Sequence, residues 1–287
     1  MNPTARTRRL QPTWGRALLG AALFLTLAPR TAFPAAPLLG IVERGTGAQT
    51  LVLIPGLGQD RAIWDRVAGR LEERFRIVIV ELPGHGASGS IPKVSVTAVA
   101  DAVDRALKSR KVKGAILVGH SYGGLVALEE AASHADRAAG VISIDIATYA
   151  AFDSERVANL EEVMKDRYPI FVHSVFGPMT IDPGESDSLI AMASRVPRDV
   201  LTEYFRDVWS EDLRPRIRNL KAPILFVATE ATWRPAESWT SARKRLGYET
   251  AGPAIGRRIL DSGHMIQIDQ PDSLAFAIAE FAETLKK

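Results

Sequence analysis

The hexapeptide Gly119-His120-Ser121-Tyr122-Gly123-Gly124 decides how this chain folds. It follows the apolar run 114–118 (GAILV) and precedes 125–132, a stretch with helical spacing. This pattern predicts a strand that turns sharply into a helix, with Ser121 held in a strained backbone conformation at the turn. Glycines are needed on either side because larger side chains would clash there. The serine hydroxyl is then presented above the sheet, at the N-terminus of the helix.

The chain on both sides of this turn alternates short apolar runs with amphipathic stretches. Buried strands are predicted at 50–54, 76–80, 141–144, 224–228 and 257–260. Helices are predicted at 63–74, 96–109 and 271–285. Apolar runs without polar alternation indicate strands covered on both faces, and the helices between them indicate parallel strands. The predicted fold class is therefore α/β, with a doubly wound, mostly parallel sheet.

One long interval interrupts this alternation. Roughly eighty residues separate the strands predicted at 141–144 and 224–228, which is too many for a single crossover connection. Helical patches at 155–167 and 200–209 flank the loop signal Asp182-Pro183-Gly184. We interpret residues 148–215 as an inserted helical cap. The core domain then consists of two segments, 37–147 and 216–287.

The basic residues are unevenly distributed along the chain. The formal net charge of the 287 residues is +3, and the sequence pI is about 9.2. Residues 1–30 contain five arginines and no acidic residue, which leaves 31 of the 36 basic residues against all 33 acidic ones. The remainder has no basic excess with which to hold phosphates, so we expect no nucleic-acid partner.

The first residues have the layout of an export signal. A basic segment, 1–16, precedes the apolar stretch 17–28 (ALLGAALFLTLA), and a small-residue run ends near Ala36. This arrangement is typical of a secretory signal peptide, here residues 1–36. An apolar helix of this length rises about 18 Å, less than a hydrocarbon core of ~30 Å, so we expect no stable membrane span. We expect export to the periplasm or the medium, with an uncleaved membrane anchor as the alternative.

Four motifs together resemble the α/β-hydrolase superfamily, over about residues 38–285. They are Ile54-Pro55-Gly56-Leu57-Gly58, Leu82-Pro83-Gly84-His85-Gly86-Ala87-Ser88, the turn at Ser121, and Ser262-Gly263-His264. The resemblance implies the α/β-hydrolase fold. It also implies a serine hydrolase of the esterase type, which cleaves a carboxylic ester or related acyl bond of a small molecule through an acyl-serine intermediate.

The resemblance also implies a role for individual residues. Ser121 is the implied nucleophile, and it needs a base because a serine hydroxyl is a weak nucleophile at neutral pH. The family's chain order of serine, acid and histidine assigns that base to His264. The backbone N–H groups of Leu57 and Tyr122 are the implied donors to the oxyanion. Two further residues are expected beside the substrate, His85 and Gly56.

The acid that orients the histidine is the open point. Family members most often place it a few residues after the strand at 224–228, where this chain has Thr232. Asp145 ends the preceding predicted strand, and Glu230 lies just past the usual one. We favour Asp145 because doubly wound sheets bind their ligands in the crevice at the carboxyl ends of the strands. Glu230 is the alternative.

Two other functions compete with ester hydrolysis. The threonine at position 232 motivates a ligand-binding protein on a hydrolase scaffold, with little or no turnover. An acyltransferase or perhydrolase would use the same serine with a different acceptor. The chain has no cysteine, and its five histidines do not show the His-Glu-x-x-His spacing of a metal site. We therefore expect neither a metal nor a cofactor.

Overall fold

A computed structural model describes residues 39–150, 152–218 and 220–286. The predicted signal peptide, 1–36, lies outside the described residues. The chain from Ala36 to Lys287 forms one compact unit. Within the described ranges, no helix combines the length and the apolar character that a membrane crossing requires.

A seven-stranded sheet runs through the middle of this unit. Its strands are β1 (Ile41–Arg44), β2 (Thr50–Ile54), β3 (Arg76–Val80), β4 (Ala115–His120), β5 (Ala138–Ile144), β6 (Ile224–Ala228) and β7 (Ala254–Arg258). The spatial order is β1-β3-β2-β4-β5-β6-β7. Strand β1 pairs antiparallel with β3, and every other pair is parallel. The predicted doubly wound, mostly parallel sheet is confirmed.

Ten α-helices accompany the sheet in the described residues. They are α1 (Asp65–Leu71), α2 (Val96–Ser109), α3 (Tyr122–Ser133), α4 (Ser154–Asp166), α5 (Tyr168–Phe176), α6 (Pro183–Ser194), α7 (Arg198–Ser210), α8 (Trp239–Arg245), α9 (Ile266–Asp269) and α10 (Pro271–Thr284). Helix α2 packs against α3, and α1 packs against α10. The side chains of β4 are buried along the whole strand, because helices cover both faces of a parallel sheet.

Most predicted elements coincide with observed ones, and the differences have physical reasons. The strand predicted at 257–260 begins three residues earlier, at Ala254. It pairs only with β6 and is half-exposed, so its sequence lacks a continuous apolar run. Strand β1 and helices α8 and α9 were not predicted, because β1 is half-exposed, α8 buries a single side chain and α9 is four residues long. Elements without a continuous apolar run or a repeated apolar spacing show no pattern in the sequence.

The cap segment, 148–215, contains four α-helices, α4 to α7. An isolated antiparallel bridge between Tyr149 and Asp212 joins the two ends of this segment. The loop predicted at Asp182-Pro183-Gly184 is instead the start of α6. Asp182 caps this helix by accepting the N–H of Gly184 (2.8 Å), and Pro183 occupies the first helical position. Proline suits that position because its missing N–H is not needed there.

Candidate active site

The turn from β4 into α3 places Ser121 in a strained conformation. Ser121 has φ 52° and ψ −124°, a region that side-chain-bearing residues rarely adopt and that costs on the order of 1–3 kcal/mol. A Cβ atom on Gly119 would lie 2.0 Å from the carbonyl oxygen of Gly123. A Cβ atom on Gly123 would lie 2.4 Å from that of Ile54. The glycines therefore permit the close approach that the turn requires.

The structure brings Asp145 and His264 together. Asp145 directly follows β5, and His264 lies in the loop between β7 and α9. Oδ2 of Asp145 accepts a hydrogen bond from Nδ1 of His264 at 2.7 Å. A carboxylate on Nδ1 fixes the proton there, and Nε2 is then free to accept a proton. This is the arrangement that a general base requires.

Strand β6 holds the other oxygen of Asp145. Oδ1 accepts from the backbone N–H of Thr229 (2.9 Å) and from its hydroxyl (3.1 Å). Burial alone would raise the pKa of Asp145, but the hydrogen bond and charge of His264 and the N–H of Thr229 outweigh it and lower the pKa. Glu230 is exposed and Thr232 half-buried. Asp145, not Glu230, is the carboxylate that meets His264, and Thr229 is a supporting residue that sequence reasoning missed.

The hydroxyl of Ser121 is free of hydrogen bonds to any residue in the described ranges, His264 included. The Ser121 and His264 side chains are both partly exposed. In enzymes without substrate, catalytic hydrogen bonds are often long and tighten when substrate binds. The ring of His264 lies beside the turn, with its centroid 4.6 Å from that of His120.

Two backbone N–H groups of the described residues are free in the candidate oxyanion positions, one in the loop after β2 and one directly after Ser121. Neither the N–H of Leu57 nor that of Tyr122 donates to another residue of the described ranges. Tyr122 is the first residue of the twelve-residue helix α3, whose N-terminus carries partial positive charge. A free N–H group at a helix N-terminus favours a negative charge there.

The polar groups of His85 and Gly56, the two residues expected beside the substrate, form hydrogen bonds within the protein. His85 is fully buried, and its Nε2 accepts the N–H of Gly58 (2.9 Å) while Nδ1 donates to the carbonyl of Pro83 (3.1 Å). Burial lowers the pKa of His85 to about 4, so the ring stays neutral. The N–H of Gly56 donates to Oε1 of Gln59 (2.9 Å). These hydrogen bonds stabilise the loop after β2.

The cap is attached directly to the residue after Ser121. The hydroxyl of Tyr122 donates to Oδ2 of Asp207 in α7 (2.6 Å), and burial raises the pKa of Asp207. The hydroxyl of Tyr204, also in α7, donates to the carbonyl of Pro83 (3.0 Å). Helix α7 therefore lies across the carboxyl edge of the sheet, next to the candidate nucleophile.

An apolar cleft of about 440 Å³ lies between the cap and this edge of the sheet. Leu125, one helical turn after Ser121, and Ile146, which follows Asp145, line it from the core. Val208 lines it from helix α7. Its volume and apolar lining are typical of a pocket for a small organic ligand.

One group of side chains in the described residues has the spacing of metal ligands. The ligand atoms of Asp104, Glu130 and His134 all lie within 4.8 Å of one another. Arg137 already donates to Asp104 (2.7 Å), and Nδ1 of His134 lies 3.1 Å from Glu130. The guanidinium supplies the positive charge that the carboxylates need, so we interpret this group as a structural ion-pair network.

Comparison with known proteins relates the whole fold to one family. A model of the alpha/beta hydrolase family matches residues 51–277. The pimeloyl-[acyl-carrier protein] methyl ester esterase of Edwardsiella ictaluri (strain 93-146) is 25% identical over 260 residues, covering 83% of this chain and 95% of that protein.

Two further comparisons differ in their extent. The protein of the same name from Vibrio vulnificus (strain YJ016) is 39% identical over 94 residues, which cover 33% of this chain and 35% of that relative. This match therefore spans about a third of the relative's length. A thermophilic esterase from Thermogutta terrifontis has a TM-score of 0.75 at 23% identity, covering 90% of this chain and 97% of that structure. The structural likeness concerns the fold.

Proposed function

This chain belongs to the alpha/beta hydrolase family, and we propose that it is a serine esterase acting on a small carboxylic ester. The observation that carries the proposal is the 2.7 Å contact between Asp145 Oδ2 and His264 Nδ1, beside the strained turn at Ser121. This contact supports Asp145 as the acid and His264 as the base of an acyl-transfer reaction in which Ser121 is the nucleophile. The family relatives named as methyl ester esterases support the same reaction class.

In the first half of the reaction, Ser121 Oγ attacks the carbonyl carbon of the ester while its proton passes to Nε2 of His264. Asp145 stabilises the imidazolium that forms. The N–H groups of Leu57 and Tyr122 hold the oxyanion. The tetrahedral intermediate then collapses, the bond to the alcohol oxygen breaks, and His264 gives its proton to that oxygen. The products of this half are the free alcohol and an acyl-serine.

Water completes the cycle in the second half. His264 takes a proton from a water molecule, whose oxygen attacks the acyl carbon. The intermediate collapses, the proton returns to Ser121, and a carboxylic acid leaves. Leu125 follows Ser121 by one helical turn and Ile146 directly follows Asp145, and both line the apolar cleft. This supports an apolar acyl group as the part of the substrate that the cleft binds.

The alternative of a binding protein without turnover was motivated by the threonine at position 232. In the structure Asp145 contacts His264. The threonine at position 232 therefore no longer favours the binding protein. The distinction is still an experimental one, because a binding protein would retain ligand without releasing acid and alcohol.

A fluorophosphonate probe tests the nucleophile directly. We expect the wild-type protein to be labelled and to hydrolyse p-nitrophenyl esters, and Ser121→Ala to do neither. Ser90→Ala is the control, since Ser90 is an exposed serine in the loop after β3, and it should behave as wild type. Equal labelling of wild type and Ser121→Ala would refute the assignment of the nucleophile. Tight ligand binding without hydrolysis would favour the binding protein.

A further inference from the structure

A buried glutamine that the proposed reaction does not use lies at the end of the loop after β2. Gln59 is 2% exposed. Its Oε1 accepts the N–H of Gly56 at 2.9 Å, one residue before the candidate oxyanion donor Leu57. Its Nε2 lies 3.3 Å from Nδ1 of His120 and 3.4 Å from Sδ of Met265. A buried amide is placed here between two loops of the site.

His120 continues this chain of contacts to the base itself. His120 is fully buried, and its Nε2 donates to the backbone carbonyl of His264 at 2.8 Å. Because Nε2 carries the proton, Nδ1 of the neutral ring is an acceptor. The Gln59 amide must then point Nε2 at His120, and its Oε1 faces the N–H of Gly56. One tautomer and one amide orientation satisfy every group.

The protonation state of this ring is fixed by its surroundings. Burial, followed by the nearby His264, lowers the pKa of His120 to about 3. The His120 ring is therefore neutral near pH 7. The chain of hydrogen bonds keeps one direction, from His120 towards the His264 carbonyl and from Gln59 towards His120.

We propose that Gln59 and His120 are positioning residues that hold the Leu57 N–H and the His264 ring in register with Ser121. The inference rests on the proposed serine esterase function. One end of the chain is the peptide unit next to the Leu57 donor, and the other end is the main chain of the base. His120 is also the residue directly before Ser121. The three parts of the site lie on different loops, and this buried chain connects all three.

The expected effect on kcat of removing these hydrogen bonds follows from the geometry that catalysis requires. A displacement of about 1 Å in a catalytic group can cost a hundredfold in rate, and losing one oxyanion donor costs roughly 10²–10³ in kcat. Neither Gln59 nor His120 lines the apolar cleft. We therefore expect a loss in kcat with little change in KM.

The central variant is Gln59→Met, which keeps the shape of the side chain and removes both polar atoms. Its matched control is Gln267→Met, because Gln267 is also fully buried but its amide has no hydrogen-bond partner in the described residues. We expect Gln59→Met to lower kcat on p-nitrophenyl butyrate about 10- to 100-fold with KM changed less than threefold. Gln267→Met should leave both within twofold.

Two substitutions at His120 test its two hydrogen bonds separately. His120→Gln can keep the donor to the His264 carbonyl and loses the ring acceptor for Gln59. His120→Asn can keep the acceptor and is too short to reach His264. Because the base is the more sensitive group, we expect His120→Asn to lose at least tenfold more kcat than His120→Gln. Equal losses in the two variants would contradict the tether to His264.

Amide hydrogen exchange supplies a readout that needs no turnover. We expect Gln59→Met to accelerate exchange at Gly56, whose N–H donates to Gln59, while Gln267→Met leaves this amide unchanged. Unchanged exchange in Gln59→Met, or equal kcat losses in Gln59→Met and Gln267→Met, would overturn the inference. An inactive wild type with the expected exchange pattern would instead refute the esterase function and leave the connection between the loops standing.

Discussion

Replacing Asp145 by asparagine should inactivate the site through the tautomer of His264. Oδ1 of residue 145 must remain an acceptor, since it receives the N–H and the hydroxyl of Thr229. The amide nitrogen of the introduced side chain would then stand where Oδ2 of Asp145 lies now, 2.7 Å from Nδ1 of His264. An amide nitrogen donates, so Nδ1 becomes the acceptor and Nε2 carries the proton. A ring in that state cannot take the proton of Ser121.

The size of the effect follows from this reversal. In a serine protease, the same change traps the wrong tautomer and lowers kcat about 10⁴-fold, which corresponds to ~5.5 kcal/mol. We expect a loss of roughly 10³–10⁴ here. The backbone should tolerate the change, because residue 145 has φ 53° and asparagine adopts the left-handed region more readily than most residues. Steady-state kcat and the thermal midpoint, measured together, separate lost chemistry from lost folding.

Glu230→Gln is the matched control for this experiment. It makes the corresponding acid-to-amide change at an exposed position after β6, and we expect kcat within twofold of wild type. A larger loss in Glu230→Gln than in Asp145→Asn would refute the assignment of the acid. Retention of more than a tenth of wild-type kcat by Asp145→Asn would refute the tautomer argument.

Two further predictions concern the cleft and the buried ion-pair network. Val208→Trp should fill part of the 440 Å³ cleft and shift the preference towards shorter acyl chains, by about fourfold in kcat/KM for each methylene that no longer fits. The assay is a panel of p-nitrophenyl esters of different acyl length, and the control is Val163→Trp, at an exposed position outside the cleft. An equal shift in preference in Val163→Trp would contradict the location of the acyl group. Burial raises the pKa of Glu130 to about 8. The folded state therefore binds this proton more tightly than the unfolded state does. As a result, the free energy of unfolding falls as pH rises from about 4.5 to 8, by at most ~1.4 kcal/mol per pH unit. Glu130→Gln should remove this slope in denaturant titrations, and a slope equal to that of wild type would contradict the origin in Glu130.

The strands that form the centre of the sheet could be predicted from the sequence because they are covered on both sides. The runs at 50–54, 76–80 and 224–228 coincide with β2, β3 and β6 to the residue. Strand β1 escapes prediction because its side chains are half-exposed and lie at the edge of the sheet. The sequence predicts a loop where α6 begins at Pro183, since proline and glycine occur both in turns and in first helical turns.

Local patterns locate the parts of the site, whereas contacts between loops do not show in them. The turn at Ser121 and the loop at His264 are recognisable because glycine requirements are local. The burial of His85 depends on the loop after β2 and on Tyr204 of the cap, whose ring lies 4.9 Å away in an edge contact. Nothing in the sequence around His85 reports such neighbours. The contact from Gln59 to His120 spans 61 residues and is equally hidden.

The position of the acid can be understood from the pairing of β5 with β6. Ile144 lies opposite Val227, so the carboxyl ends of the two strands meet at one level of the sheet. The N–H of Asp145 donates to the carbonyl of Val227 at 2.8 Å, and Thr229 returns two hydrogen bonds to its carboxylate. The strand after which family members most often carry the acid therefore contributes here by fixing Asp145, the proposed acid, which its neighbour supplies. Because adjacent parallel strands end side by side, either strand can bring a carboxylate to the histidine, and the other then supplies the N–H groups that keep it ionised.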